Sequence, residues 1–176
     1  MRLSQLTVPA AFSLGLFLLG CASGPKAPMG ADGKKIAIEV SVDGGYEQVD
    51  AANANQVNQR NQLVNYMRKT TVEQLNASGY DASLLDSAKG PTAGKRSLAL
   101  KIDNYNPGSA AARMLVGLGA GAATLDVTAI YKEGANVLLT TQKSVASGRD
   151  WRKVVKKINV LIMREMAPPA EAAKAG

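Results

Sequence analysis

The segment Arg149–Met166 constrains the fold more than any other part of the chain. At about 100° per residue, Trp151, Val154, Val155, Ile158, Leu161, Ile162 and Met166 fall within roughly 140° of arc, so this is an amphipathic helix that needs a surface to cover. Stretches with a period of two supply that surface. Ile36, Ile38, Val40 and Val42 alternate with Ala37, Glu39 and Ser41. Leu98, Leu100 and Ile102 alternate with Ala99 and Lys101, and Leu125, Val127, Ala129 and Tyr131 alternate with Asp126, Thr128, Ile130 and Lys132. Glu133-Gly134-Ala135 reads as a turn and Asn136 to Ala146 as the returning strand of a hairpin. Asp50 to Ser78 predicts a longer helix, with Val57, Val64, Met67, Thr71 and Leu75 on one stripe and Gly79 at the C-cap position. Its first half crowds Asn53, Asn55, Gln56, Asn58, Gln59, Asn61 and Gln62, which reads as a solvated face, and Asn is a mediocre helix former. Tyr80 to Leu85 reads as a short edge strand and residues 86–97 as a loop. This order predicts an α/β (α+β) two-layer sandwich. A mixed, mostly antiparallel sheet of about four to five strands is covered by the two helices.

The first twenty-one residues give an address. Arg2 provides a positive start, Leu6 to Leu19 an apolar run, and Leu18-Leu19-Gly20-Cys21 resembles the bacterial lipobox. The run is too short and interrupted for a transmembrane helix, which needs about 20 apolar residues. The expected organisation is a lipoprotein signal peptide at 1–20, a lipidated flexible tether at 21–34, one periplasmic domain at 35–166 and a disordered tail at 167–176. Cys21 would carry a covalent, palmitate-class lipid. Ala22 and Ser23 are not the acidic residues that the sorting pattern associates with inner-membrane retention. The expected location is therefore the outer membrane, facing the periplasm.

That address and the composition exclude much chemistry. The chain has one cysteine and no histidine, so lipidation of Cys21 removes the last thiol. Neither Ser-His nor Cys-His catalysis can be assembled. No metal site and no cofactor are expected beyond the lipid. The formal charge of +7 drops to +6 with the loss of Arg2, and on an exported chain such a balance points to anionic lipid, lipopolysaccharide, cell wall or acidic protein rather than nucleic acid. Much of the charge sits on the last helix, where Arg149, Arg152, Lys153, Lys156, Lys157 and Arg164 face Asp150 and Glu165.

Gly117-Leu-Gly119-Ala-Gly121 lacks the spacing and the following helix of a dinucleotide fingerprint, and no phosphate-gripping Gly-Lys-Ser/Thr occurs. Close backbone packing, or a loop that needs positive φ, explains the glycines more simply. The run Asn104-Tyr105-Asn106-Pro107-Gly108-Ser109, then Arg113, then the glycine segment and a hairpin, resembles the bacterial domain of unknown function 4410 family. The resemblance implies an exported, often lipidated α/β domain and implies no activity.

The expected function is a non-enzymatic envelope binding, adaptor or assembly module. Arg113, Gly117, Gly119 and Gly121 are candidate contacts for an envelope protein or cell-wall component. Arg152, Lys153, Lys156, Lys157 and Arg164 are candidates for an anionic surface. A carboxylate-dependent hydrolase would instead need two carboxyls about 5–10 Å apart in a cleft, with Asp103 and Asp126 as the candidates.

Overall fold

A computed structural model describes residues 25–30, 32–86, 90–108, 121–147 and 150–167. Cys21, Arg113, Gly117 and Gly119, the signal-like segment and the tail after Ala167 lie outside the described residues. Strand β1 (Ala37–Asp43) leads through a one-turn 3-10 helix (Tyr46–Gln48) into α1 (Ala54–Ala77), which returns to β2 (Asp81–Leu84). Then come β3 (Arg96–Asn106), β4 (Ala123–Glu133), β5 (Asn136–Ser147) and α2 (Trp151–Met166).

The five strands form one sheet in the order β2-β1-β3-β4-β5. β1 is parallel to both β2 and β3, whereas β3–β4 and β4–β5 are antiparallel and carry most of the paired residues. Both helices lie on one face, α1 over β1 and β2, α2 over β4 and β5. The expected two-layer arrangement is therefore present. The alternation holds as well: Ile38, Val40, Val42, Leu98, Leu100, Ile102, Leu125, Val127 and Ala129 are all buried.

Helix boundaries are set by caps. The Asn53 side chain accepts from the Gln56 amide at 3.2 Å, so α1 begins at Ala54 rather than Asp50. Asp150 accepts from the Arg152 amide at 2.9 Å and starts α2. Gly79, at φ +104°, follows the end of α1. The buried stripe of α1 differs from the predicted one at its N-terminal end, where Val57 is half-buried and Arg60 is buried. Where the helices cross, the Thr71 hydroxyl donates to Asn159 Oδ1 at 3.2 Å, and Asn159 Nδ2 donates to Gln74 Oε1 at 2.9 Å. Asn159 is 2% exposed, and these bonds satisfy it inside an otherwise apolar interface.

Topology explains what covers β1 on the other face. β2 and β3 flank β1, so the link between them must cross it. Thr92 of that link donates its amide to Glu39 Oε2 at 2.8 Å and its hydroxyl to Oε1 at 2.6 Å, and Lys95 lies 3.2 Å from the same carboxylate. Glu39 is buried, and the Thr92 hydroxyl, the Thr92 amide and Lys95 together hold its carboxyl below the ordinary 4.5 against the opposing effect of desolvation. At the N-terminus, part of the stretch read as tether lies against the domain. The Ala27 amide donates to the Ser78 carbonyl at 2.7 Å, and Met29 bridges Lys35.

Candidate functional site

Two glycines bring the backbone together beyond the carboxyl ends of the parallel strands β1 and β3. Gly45 has φ +57°, and a Cβ there would sit 2.1 Å from the Ile102 carbonyl oxygen. Gly108 has φ +77°, and its Cβ would meet the Gly121 carbonyl oxygen at 2.4 Å. Such close approaches admit only glycine. The second one brings the backbone at Gly108 against that at Gly121. Gly121 is the one member of the predicted glycine set within the described residues, and its φ of +68° is the left-handed conformation that favours glycine.

A bulge then aims the key ring. The register of β3 against β4 shifts between Ile102 and Asn104, with Asp103 as the inserted residue. Simple alternation would put Asn104 on the helix-covered face. The bulge instead places Tyr105 there, opposite Leu125. Tyr105 meets Trp151 of α2 edge-on at 6.5 Å, and Tyr66 of α1 meets the same indole at 5.2 Å. Burial pushes the Tyr105 phenol up to about 12. The Arg152 guanidinium lies 5.0 Å from the Trp151 ring, and that of Arg60 lies 5.8 Å from the Tyr105 ring.

Arg60, Tyr105 and their neighbours line a depression of about 320 Å³. Gln48, Gln56, Gln59 and Asn106 bring amide side chains to it, and Val49 and Pro107 add apolar edges. Arg60 is 5% exposed, and its Nη1 donates to the Gly44 carbonyl at 2.9 Å. Desolvation lowers its pKa, opposed by the nearby Tyr105 and Tyr46 phenols and by Glu47. The Glu47 carboxylate itself is engaged by Lys101 at 3.0 Å. Arg60 thus forms no ion pair with a carboxylate among the described residues. Arg60 falls in the 60, 64, 67, 71 series of the α1 stripe, so a cation among its apolar positions was the available sequence signal.

The other predicted residues are dispersed. Arg152, Lys153, Lys156, Lys157 and Arg164 are exposed along α2, as the helix periodicity predicts. Asp103 and Asp126 share the sheet face opposite the helices. Thr128 donates its hydroxyl to Asp103 at 2.6 Å and Gln142 an amide N–H at 3.4 Å, while Asn104 donates to Asp126 at 3.2 Å. Neither carboxylate lines the depression. Among the described residues no cluster of three metal-ligating side chains occurs, and no helix is long and apolar enough to cross a membrane.

The strand end at which the polypeptide enters β1 is different in character. Pro28, Met29, Leu138, Leu139 and Met166 contribute to a shallower, more apolar depression there, with Met29 and Leu138 largely exposed.

A family model described as a domain of unknown function (DUF4410) matches residues 30–146. No curated protein matches the sequence. Among solved structures, the PelC dodecamer from Paraburkholderia phytofirmans, seen in two space groups, superposes with a TM-score of 0.51 at 14% identity, covering 83% of this chain and 96% of PelC. That likeness concerns the fold. A minor lipoprotein from Acinetobacter baumannii covers 74% of this chain and 91% of its own length at 12% identity, with a TM-score of 0.35.

Proposed function

Because the chain belongs to the family of domain of unknown function 4410, we propose that it is a non-enzymatic envelope lipoprotein of the outer membrane, a binding, adaptor or assembly module facing the periplasm. The carrying observation is Leu18-Leu19-Gly20-Cys21, with the protein's one cysteine at the lipobox position. Polarity of the domain supports the reading. The polypeptide enters β1 beside the exposed Met29 and Leu138, whereas the Arg60 depression and the contact of Gly108 with Gly121 lie at the other end of the strands. An anchor on Cys21 would thus sit at the end of the domain away from the depression, and Arg113, Gly117, Gly119 and Gly121 remain the candidate contacts for an envelope protein or cell-wall component. No cofactor enters this reading apart from the lipid. Catalysis by Asp103 and Asp126 is disfavoured by their engagement with Thr128, Gln142 and Asn104 on an open sheet face.

The test is an in-cell crosslinking pull-down of the full-length protein, with Cys21→Ala and Arg113→Glu beside it and palmitate labelling as the anchor readout. Label lost with Cys21→Ala, and one envelope protein lost with Arg113→Glu, is the expected pattern. Label on neither form would end the lipoprotein reading. Recovery no greater than from a lipid-only control would end the adaptor reading. A second reading rests on the five exposed cations of α2, which fit anionic lipid or lipopolysaccharide. It requires vesicle binding that grows with anionic lipid and falls with salt.

A further inference from the structure

We infer that the Arg60 depression is a receptor for a peptide carboxylate, with Arg60 as the anion-binding group and the surrounding amides as its hydrogen-bonding rim. The inference rests on the adaptor reading and names the chemistry of the partner. A guanidinium carries five N–H donors in a planar fork. In Arg60 one of these nitrogens, Nη1, serves the Gly44 carbonyl, a neutral acceptor, and the remaining donors have no protein acceptor among the described residues. No Arg60 nitrogen is among the fully buried, unpartnered side-chain atoms, so these donors meet the solvent of the depression, and a guanidinium this enclosed favours a paired anion. At 5% exposure Arg60 keeps its charge beside an open depression, while Glu47, the carboxylate that acts on it electrostatically, is held by Lys101. An incoming carboxylate would complete the shell, through the bidentate geometry that the fork favours.

The lining selects the kind of molecule that carries the carboxylate. Gln56 Oε1 accepts from the Asp50 amide, Gln59 Nε2 donates to Asn55 and Asn106 Oδ1 accepts from the Gly108 amide, and each of these side-chain amides keeps a further N–H and a further lone pair, which suits peptide groups. A saccharide would call for an open aromatic face. Tyr105 is the one aromatic ring in the lining, and the Arg60 guanidinium already stands over it. The carboxylate can come from the free carboxyl terminus of a polypeptide or from an acidic side group, and the probes separate the two.

The experiment is calorimetric titration of the detergent-solubilised full-length protein at low salt with four probes. These are acetyl-Ala-Ala-Ala with a free carboxylate, the same peptide amidated, acetyl-Ala-Glu-Ala-amide, and a glucuronate disaccharide. Binding of either carboxylate peptide, with the amidated neutral peptide about tenfold weaker or worse, is expected. Free-terminus preference identifies a C-terminal ligand, and preference for the Glu peptide identifies an acidic side group. Arg60→Gln should weaken the preferred peptide by about tenfold or more, and Arg60→Lys should restore part of it. Gln59→Ala, on the rim, should weaken binding severalfold and keeps the test valid if Arg60→Gln fails to fold. Equal binding of amidated and acidic peptides, indifference to both Arg60→Gln and Gln59→Ala, tighter binding of the glucuronate, or no binding at all overturns the inference. If a crosslinked protein is still recovered from cells when the peptides fail, the adaptor reading stands without it.

Discussion

Replacing Tyr80 by Phe should make the protein more stable, although it removes a polar atom from the core. Tyr80 is 2% exposed, and its hydroxyl is the one buried side-chain polar atom with no hydrogen-bond partner among the described residues. An unsatisfied buried group of this kind costs about 1–3 kcal/mol, whereas the ring itself is well packed and survives the substitution. A gain of about 1 kcal/mol is expected. For a domain of this size it would raise Tm by about 3–5 °C and the urea midpoint by roughly 0.5 M at unchanged m. Tyr80→Ala is the control, with a loss of about 3–5 kcal/mol for the emptied ring site. A pH series adds a second signature. Burial pushes the Tyr80 phenol from 10 up to about 12, so above pH 10 the unfolded protein releases a proton that the folded protein retains. Stability then falls as pH rises through that window, and Tyr80→Phe removes this share of the loss. Its advantage over the wild type should therefore widen between pH 10 and 12. A Phe variant that is less stable by about 1 kcal/mol at neutral pH would refute the argument. It would mean that the hydroxyl holds a partner worth keeping, such as a buried water.

Further substitutions test three other joints of the structure. Asn159→Ala leaves the buried Thr71 hydroxyl without its acceptor and should cost about 1–3 kcal/mol in urea unfolding. Combined with Thr71→Val it should cost less than the two single losses added, the signature of a shared bond. Because Thr92 and Lys95 hold the Glu39 carboxyl below 4.5, its stabilising contribution is present above that pH and is lost as pH falls through the lower folded value. Thermal unfolding of Glu39→Gln from pH 7 down to 2 should accordingly show a shallower acid decline than the wild type, from a lower neutral starting point. Gly45→Ala forces a Cβ against the Ile102 carbonyl at positive φ, and a circular-dichroism melt should fall by several degrees at least, whereas Gly134→Ala, with open space around its Cβ position, should fall less.

Most of the layered architecture was written in local periodicity. The strands announce themselves by alternation because one face of the sheet is covered by helices and the other is not. The stripe of α2 is equally plain because its apolar positions pack against the sheet and against α1. What local pattern does not carry is register and crossing. Nothing within Tyr80–Leu85 says that this strand pairs in parallel with β1, or that the following link must pass over Glu39. The extra residue at Asp103 is likewise invisible, since Leu98, Leu100 and Ile102 alternate without interruption up to it. That single insertion turns Tyr105 toward Trp151 and so builds one wall of the depression. Arg60 was legible in principle, as a charge where the stripe calls for an apolar side group. The dense amides around it point to the helix surface instead.

The parallel pairing of β1 with β3 also has a mechanical meaning. A protein held through its N-terminus is pulled at the start of β1, at Ala37. A ligand seated beside Tyr105 and Asn106 pulls on the far end of β3. Since the two strands run the same way, these opposed forces slide one along the other, and the ladder from Ile38 to Asp43 against Arg96 to Lys101 is loaded all at once. A hairpin pulled at its open end would instead yield one bond at a time. The clasp of Glu39 on Thr92 and Lys95 joins β1 to the link just ahead of β3, so it resists the same sliding. An anchor at the N-terminus and a ligand at the depression would therefore load the domain in shear rather than unzip it.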